Sequence, residues 1–372
     1  MRKLYAFLLA IMMMAYGVNS FAQDEIKPVK LSFFTESQGY QLKVLLDDES
    51  IKQLVRLKAG IKMGLTDLSD SRAEVVQKLN KAGIPVTAWL LLPKKDGYWM
   101  NAYNHELSKQ RYRDFATWSA KHKLEWDNIG LSFESYASDQ RVINKSFMTV
   151  TKVFFKRILT AESQYDGDNN YLNLMHSIRR DGHKREVYLT PYELDSRTAQ
   201  SEAWHNLNGT MKVASDREVP IFFNHFSDNA EHALAQHIVY GQNSNYSFPA
   251  VIVGSFNEKK PLSKELNKQP FTLEHLYQHF HIARAKDTEV WAYGLEGAIQ
   301  ESILPKIDLL GQPKQVFSSK QSYKGVITEK RNVEFFMQAL RFPELVAIFG
   351  ALLALIFLLT VIKTLRLTFA KN

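Results

Sequence analysis

Short, nearly continuous apolar runs alternate along the chain with longer amphipathic ones, a pattern that predicts strands separated by helices. The clearest unit begins with Gly60 to Asp67, an apolar run leading into Ser69-Asp70-Ser71, whose side chains suit a helix N-cap. Val75, Val76, Leu79 and Ala82 then recur on one helical face, Gly83 closes the helix, and Ile84 to Pro93 follows at once as another strand. A strand over Val29 to Glu36 precedes this β-α-β unit. After it come a helical stretch around Ser108 to Lys121, a strand within Trp126 to Ser135 and an amphipathic run from about Gln140 to Glu162. Further strands read as Glu186 to Glu193, Val219 to Phe226, Pro249 to Phe256 and Glu289 to Glu296. Eight strands with helices between them predict an α/β fold, a (β/α)8 TIM barrel over residues 23–304. The pattern is thinnest over 194–218, where Asn208-Gly209 reads as a turn, and a doubly wound open sheet is the competing arrangement.

The two ends depart from this pattern. Arg2 and Lys3 precede an uncharged run to Val18, and Ser20-Phe21-Ala22 places small residues before Gln23, so residues 1–22 read as a secretory signal peptide. Residues 345–362 are uncharged and mostly apolar; as a helix they would span about 27 Å, the thickness of a bilayer core. Lys363, Arg366 and Lys371 follow with no acid among them, which places residues 363–372 in the cytoplasm. The expected arrangement is a single-pass inner-membrane protein with a periplasmic or extracellular barrel and the lipid bilayer as partner of its C-terminal helix. Residues 305–344 read as a spacer or juxtamembrane segment.

Charge and composition remove other classes. Of a net +8, residues 1–22 hold two basic groups and residues 363–372 three, with no acid in either, which leaves +3 on the body. That balance, without a basic stripe, argues against nucleic acid as a partner. Zero cysteines exclude thiol catalysis and zinc knuckles, and no P-loop, dinucleotide fingerprint, HExxH or G-x-S-x-G is present, so no cofactor is implied. His275 and His279 stand one helical turn apart without acidic partners at ligand spacing, so they read as surface or helix-packing residues and no metal site is expected.

In a barrel of this kind chemistry sits at strand C-termini, which selects Glu36, Asp67, Glu134, Glu193, Glu258 and Glu296 from the acids. Glu134 follows Gly130 and Ser132 in the same parity, and Glu296 follows Ala292 and Gly294, so both are expected to point into the mouth as acid and base or nucleophile. Trp89, Tyr98, Trp99, Tyr192 and Trp291 would supply faces for sugar rings, with Asp67 and Asn224 among the groups that meet hydroxyls.

Asp127-Asn128-Ile129-Gly130-Leu131-Ser132-Phe133-Glu134 resembles the D-G-x-D-x-D-x-E strand signature of family 18 glycoside hydrolases, the chitinase-like barrels. Aligned on the last acid, Asp127 and Glu134 match its two ends, while Gly130 and Ser132 replace its middle acids. The resemblance implies that Glu134 is the general acid. In that family the acid two residues earlier positions the substrate acetamido group as internal nucleophile; Ser132 stands there, which directs the search for a second carboxylate to Glu296. The expected function is a membrane-anchored glycoside hydrolase acting on an envelope or extracellular polysaccharide. A non-catalytic polysaccharide-binding or assembly protein is the alternative, and a barrel that serves as scaffold for a membrane-protein partner is a third.

Overall fold

The computed structural model describes residues 26–134, 162–222, 230–241, 247–256, 271–315 and 320–342, with scattered positions between 348 and 363. Its strands are β1 (Leu31–Thr35), β2 (Gly60–Leu65), β3 (Val86–Leu90), β4 (Asn128–Ser132), β5 (Lys184–Leu189), β6 (Arg217–Pro220), β7 (Ala250–Ser255) and β8 (Glu289–Tyr293). Every pairing is parallel, and the order β6-β5-β4-β3-β2-β1-β8-β7 runs the strands in sequence around the axis. The two ends of that order meet through the Ile221–Ile252 bridge and the Phe222 amide, which donates to the Ile252 carbonyl at 2.8 Å. The sheet is therefore a closed (β/α)8 barrel, and the open doubly wound arrangement is excluded.

Helices α1 (Gly39–Leu45), α2 (Asp48–Arg56), α3 (Asp70–Lys81), α4 (His105–His122), α5 (Glu162–Arg180), α6 (Pro191–Thr198), α7 (Ala203–Asn208), α8 (Ala230–Gly241), α9 (Leu273–Arg284) and α10 (Leu295–Gln300) join the strands. Ser69 caps α3 by accepting from the Arg72 amide, as its sequence suggests. Strands β5 and β8 end earlier than expected. Pro191, with its fixed φ, opens α6 directly after Thr190, and Gly294 takes φ 77° to turn β8 into α10. The thin region after β5 holds two short helices, α6 and α7, and Gly209 at φ 63° ends the second.

The barrel interior is aromatic. Phe34, Trp89, Tyr188, Trp291 and Tyr293 converge on the axis, with Phe34 stacked on Tyr293 at 4.4 Å and edge-on to Trp89 and Tyr188 at 5.4 and 5.3 Å. Small inward residues appear where these rings need room: a Cβ on Gly130 would lie 2.2 Å from the Tyr188 hydroxyl. Below the rings, toward the strand N-termini, Lys62 donates to both Glu186 oxygens at 3.0 Å and lies 3.8 Å over the Trp291 ring, while Arg217 bridges Glu186 and Glu289. A polar plug thus closes that end of the axis.

The residues read from sequence as a spacer or juxtamembrane segment include a long helix, α11 (Lys320–Ala339), packed against α6 and α8. Tyr192 donates to Glu329 and Lys330 donates to the buried Asp195. Among the described residues no helix is long and apolar enough to cross a membrane. The expected signal peptide lies outside the described residues, and only scattered positions of 345–362 fall within them.

Candidate active site

Glu134 stands immediately beyond β4, at the mouth. Its backbone is held by the loop after β3: its amide donates to the Met100 carbonyl at 3.0 Å, and Asn101 donates to its carbonyl at 3.4 Å. Met100 also bridges Phe133, so the loop extends the sheet beside the end of β4. The loop is in turn fixed from below by Tyr171 of α5, whose hydroxyl donates to the Asn101 carbonyl at 3.0 Å and meets Ser108 at 2.8 Å. Asn101, Ser108 and Tyr171 are buried and partnered, an arrangement that holds the loop against the Glu134 backbone.

Glu36 is the second acid at the mouth. It follows Ser32 and Phe34 in inward parity, its stem packs over Gly64, and its carboxylate accepts from the Tyr98 hydroxyl. Tyr98 adopts φ 68° directly after Gly97 at φ 106°, a left-handed conformation that costs a tyrosine about 1–3 kcal/mol. Burial first, and then the charges on Glu36 and Glu134, raise the Tyr98 phenol well above its ordinary range. Tyr293 responds to the same two carboxylates, again after burial as the main cause. Glu36 follows β1 and Glu134 follows β4, so both acids stand at strand C-termini. Trp99 is half-buried and edge-on to Tyr98 at 5.3 Å.

Glu193 is a third acid in this region. It lies in the first turn of α6, is 2% exposed, and its Oε2 has no hydrogen-bond partner. Burial raises its pKa well above the carboxylate range, Arg197 works against that, and the Glu134 charge adds to the rise.

Other residues singled out from sequence stand elsewhere. Glu296 does not point inward, because Trp291 and Tyr293 take the inward positions of β8 and Ala292 faces the outer core. It sits in α10, where its carboxylate accepts from the Thr35 hydroxyl and, at 3.1 Å, from the Ser37 amide, fastening the loop after β1. Trp89 and Trp291 are 1% and 0% exposed, part of the interior rather than faces for a ligand. Asp67 is consumed by the fold, accepting from Arg72 at 2.7 Å, from the Gly39 amide at 3.1 Å and from Ser69. Tyr192 turns toward α11 and packs on Trp204 at 4.7 Å. Asn224 and Glu258 lie outside the described residues. His279 is buried against His237, with Nδ1 atoms 2.9 Å apart and rings stacked, and His275 caps α9 with Thr272.

Tyr293 and the role of Glu36 escaped the sequence reading. The parity of Ser32, Phe34 and Glu36, and of Glu289, Trp291 and Tyr293, was the signal that could have found them. Among the described residues no group of acids and histidines could hold a metal ion.

No protein-family model matches the chain, and no curated protein does. Solved structures similar to it include Gas2 of Saccharomyces cerevisiae in complex with laminaritetraose and laminaripentaose, at 12% identity over 79% of this chain and 65% of that one, with a TM-score of 0.40. A GH5-4 broad-specificity endoglucanase from Ruminococcus champanellensis with bound cellotriose is 9% identical over 71% of this chain and 86% of that one, at a TM-score of 0.40. A D-tagatose 3-epimerase-like protein is 9% identical over 81% and 99%, at 0.39.

Proposed function

We propose that the chain is a glycoside hydrolase of an envelope or extracellular polysaccharide, with Glu134 as general acid and Glu36 as the second carboxylate. The observation that carries this reading is the placement of two acids at the strand C-termini of a closed barrel, Glu36 after β1 held by the Tyr98 hydroxyl and Glu134 after β4 held by the Met100 loop. Glu134 donates its proton to the glycosidic oxygen as the bond to the anomeric carbon breaks. Glu36, oriented by the Tyr98 hydroxyl, faces the positive charge that develops on the sugar, and Trp99 offers a ring for an adjacent sugar. Glu296 leaves the mechanism, since its oxygen is bonded to the loop after β1.

One observation favours the alternative, a barrel that holds a glycan without cutting it. The inward positions two and four residues before Glu134 are Ser132 and Gly130, and they are filled by contact with Trp89 and Tyr188 rather than left to a ligand. The membrane anchor belongs to the proposal as well: the apolar run at 345–362 and the basic residues after it support a single span with the barrel outside the cytoplasm.

Reducing-sugar release by the full chain in detergent, across a panel of bacterial and algal polysaccharides, tests the activity. The expected result is release by the wild type that drops by several orders of magnitude in Glu134→Gln and in Glu36→Gln. Equal binding of a glycan by all three proteins without release would establish the alternative. Protease accessibility of the barrel in intact spheroplasts tests the topology.

A further inference from the structure

One stripe of α11 packs on the barrel. Val326, Met337 and Leu340 are buried at helical spacing, and on the same stripe Lys330 reaches Asp195 of α6. Glu329, beside it, accepts from Tyr192 of α6 and meets His232 of α8 at 3.5 Å. These bonds make the helix a fixed part of the barrel. Its outward face changes along its length. Lys320, Lys324, Thr328 and Arg331 are exposed on the first part, where Tyr323 is the one large ring open to solvent. Beyond Arg331 the same stripe carries Phe335, 73% exposed, and, past the helix end, Phe342, 53% exposed, with Phe336 beside them at 58%. The Arg341 guanidinium lies 5.6 Å over the Phe342 ring. Neighbouring large rings left this open form an apolar patch of the kind that marks a contact surface.

We propose that this end of α11 docks on a phospholipid bilayer, with Phe335, Phe336 and Phe342 set into the headgroup layer. This rests on the reading of residues 345–362 as a membrane span. The sequence supplies the occupant, because the apolar run begins three residues after Phe342, and three residues reach at most about 11 Å. A chain that enters the hydrocarbon at residue 345 therefore holds Phe342 at or beside the headgroups. Phe335 lies seven residues earlier, about 10 Å along a helix. Aromatic rings and an arginine with an apolar stem suit that layer, where one end of a group meets hydrocarbon and the other meets water. The change from lysines to phenylalanines along one stripe is what a boundary between water and lipid imposes on a helix that meets it. A protein partner laid along α11 has no need of such a change. Because Glu329 and Lys330 tie α11 to α6 and α8, docking holds the whole barrel at one tilt over the bilayer instead of letting it swing on a stalk.

The chain has no cysteine, so a single introduced one carries a nitroxide label that reports one position. The experiment uses the full chain in vesicles of phosphatidylethanolamine and phosphatidylglycerol, labelled in turn at Phe335→Cys, Phe336→Cys, Phe342→Cys, Thr328→Cys and Leu352→Cys. All five side chains are exposed, so the substitutions leave the core intact. Spin relaxation by oxygen, which concentrates in lipid, is compared with relaxation by a water-soluble nickel chelate. Oxygen is expected to dominate at 335, 336, 342 and 352, and nickel at 328. Nickel dominance at 335, 336 and 342 with oxygen dominance at 352 overturns the docking and leaves the span standing. Exclusion of both reagents at the three phenylalanine positions means that protein covers them, a second copy or a membrane-protein partner, and also overturns it. Nickel dominance at 352 overturns the span, and the docking that rests on it.

Discussion

The indole of Trp89 donates a 3.0 Å hydrogen bond to the hydroxyl of Ser132 inside the barrel. The two residues lie on neighbouring strands, and Ser132 occupies the position where the chitinase-like signature carries an acid. Removing the hydroxyl leaves a buried indole N–H with no acceptor, a loss of about 1–3 kcal/mol. Ser132→Ala is therefore expected to unfold in urea with that deficit and an unchanged m-value. A Ser132→Ala protein as stable as the wild type would mean that another group accepts from Trp89.

At the other end of the axis, Glu186→Gln leaves the Lys62 ammonium with the Thr87 hydroxyl at 3.0 Å and no carboxylate of its own. Breaking a buried pair in this way costs about 3–5 kcal/mol near neutral pH. Burial already lowers the Lys62 pKa from 10.5, with Glu186 opposing that shift. The folded state then binds fewer protons than the unfolded one between the lowered value and 10.5, so this group's contribution to stability rises with pH across that window. In Glu186→Gln the window opens at lower pH. The stability gap between variant and wild type is expected to narrow on going from pH 7 to pH 10, as followed by thermal unfolding.

The fold was legible because helix and strand periods differ and because Gly83 and Ser69 punctuate them. What misled was parity. The strand that carries Glu134 follows the expectation that small residues face the axis, since Gly130 and Ser132 meet Tyr188 and Trp89. On β8 the rule inverts, with Trp291 and Tyr293 inward, and so Glu296 leaves the mouth. Sequence periodicity separates the two faces of a barrel strand but does not say which face is inside when both are apolar. Trp89 was expected to offer a face to a sugar ring, and packing by Phe34 and Tyr188 covers it instead. Tyr98 and Glu36 were each visible in the sequence; their hydrogen bond joins residues 62 positions apart and has no local signature.

Asp67 was expected at a sugar hydroxyl and instead neutralises Arg72, which is 0% exposed. Burial alone would raise the Asp67 pKa, but hydrogen bonds from Arg72 and Ser69 outweigh it and hold the carboxyl below its ordinary 3.8. A depressed carboxylate contributes stability that is complete above the unfolded value and lost as pH falls through the folded one. Asp67→Asn is expected to lose about 3 kcal/mol at neutral pH, with the difference from wild type closing below about pH 3.8. Glycan affinity should not change; a large loss of affinity in folded Asp67→Asn would return this residue to the binding surface.

Helix α6 turns Tyr192 and Asp195 toward α11. Asp195 is fully buried; it accepts from Tyr240 at 2.8 Å and from Lys330 at 2.8 Å, and Lys330 lies 4.8 Å over the Tyr240 ring. Lys330→Met keeps the stem that covers the tyrosine but removes the charge, leaving Asp195 with one hydroxyl for partner. The expected cost is about 3–5 kcal/mol. Because α11 meets the barrel mainly through α6 and α8, the loss should appear as local undocking rather than global unfolding. Hydrogen exchange over residues 320–339 is the direct measurement, with faster exchange there in Lys330→Met and unchanged protection in β1 to β4. Adding Asp195→Asn should restore part of the protection, since an amide still accepts from Tyr240 without a buried charge. Faster exchange throughout the barrel would instead make α11 part of its core.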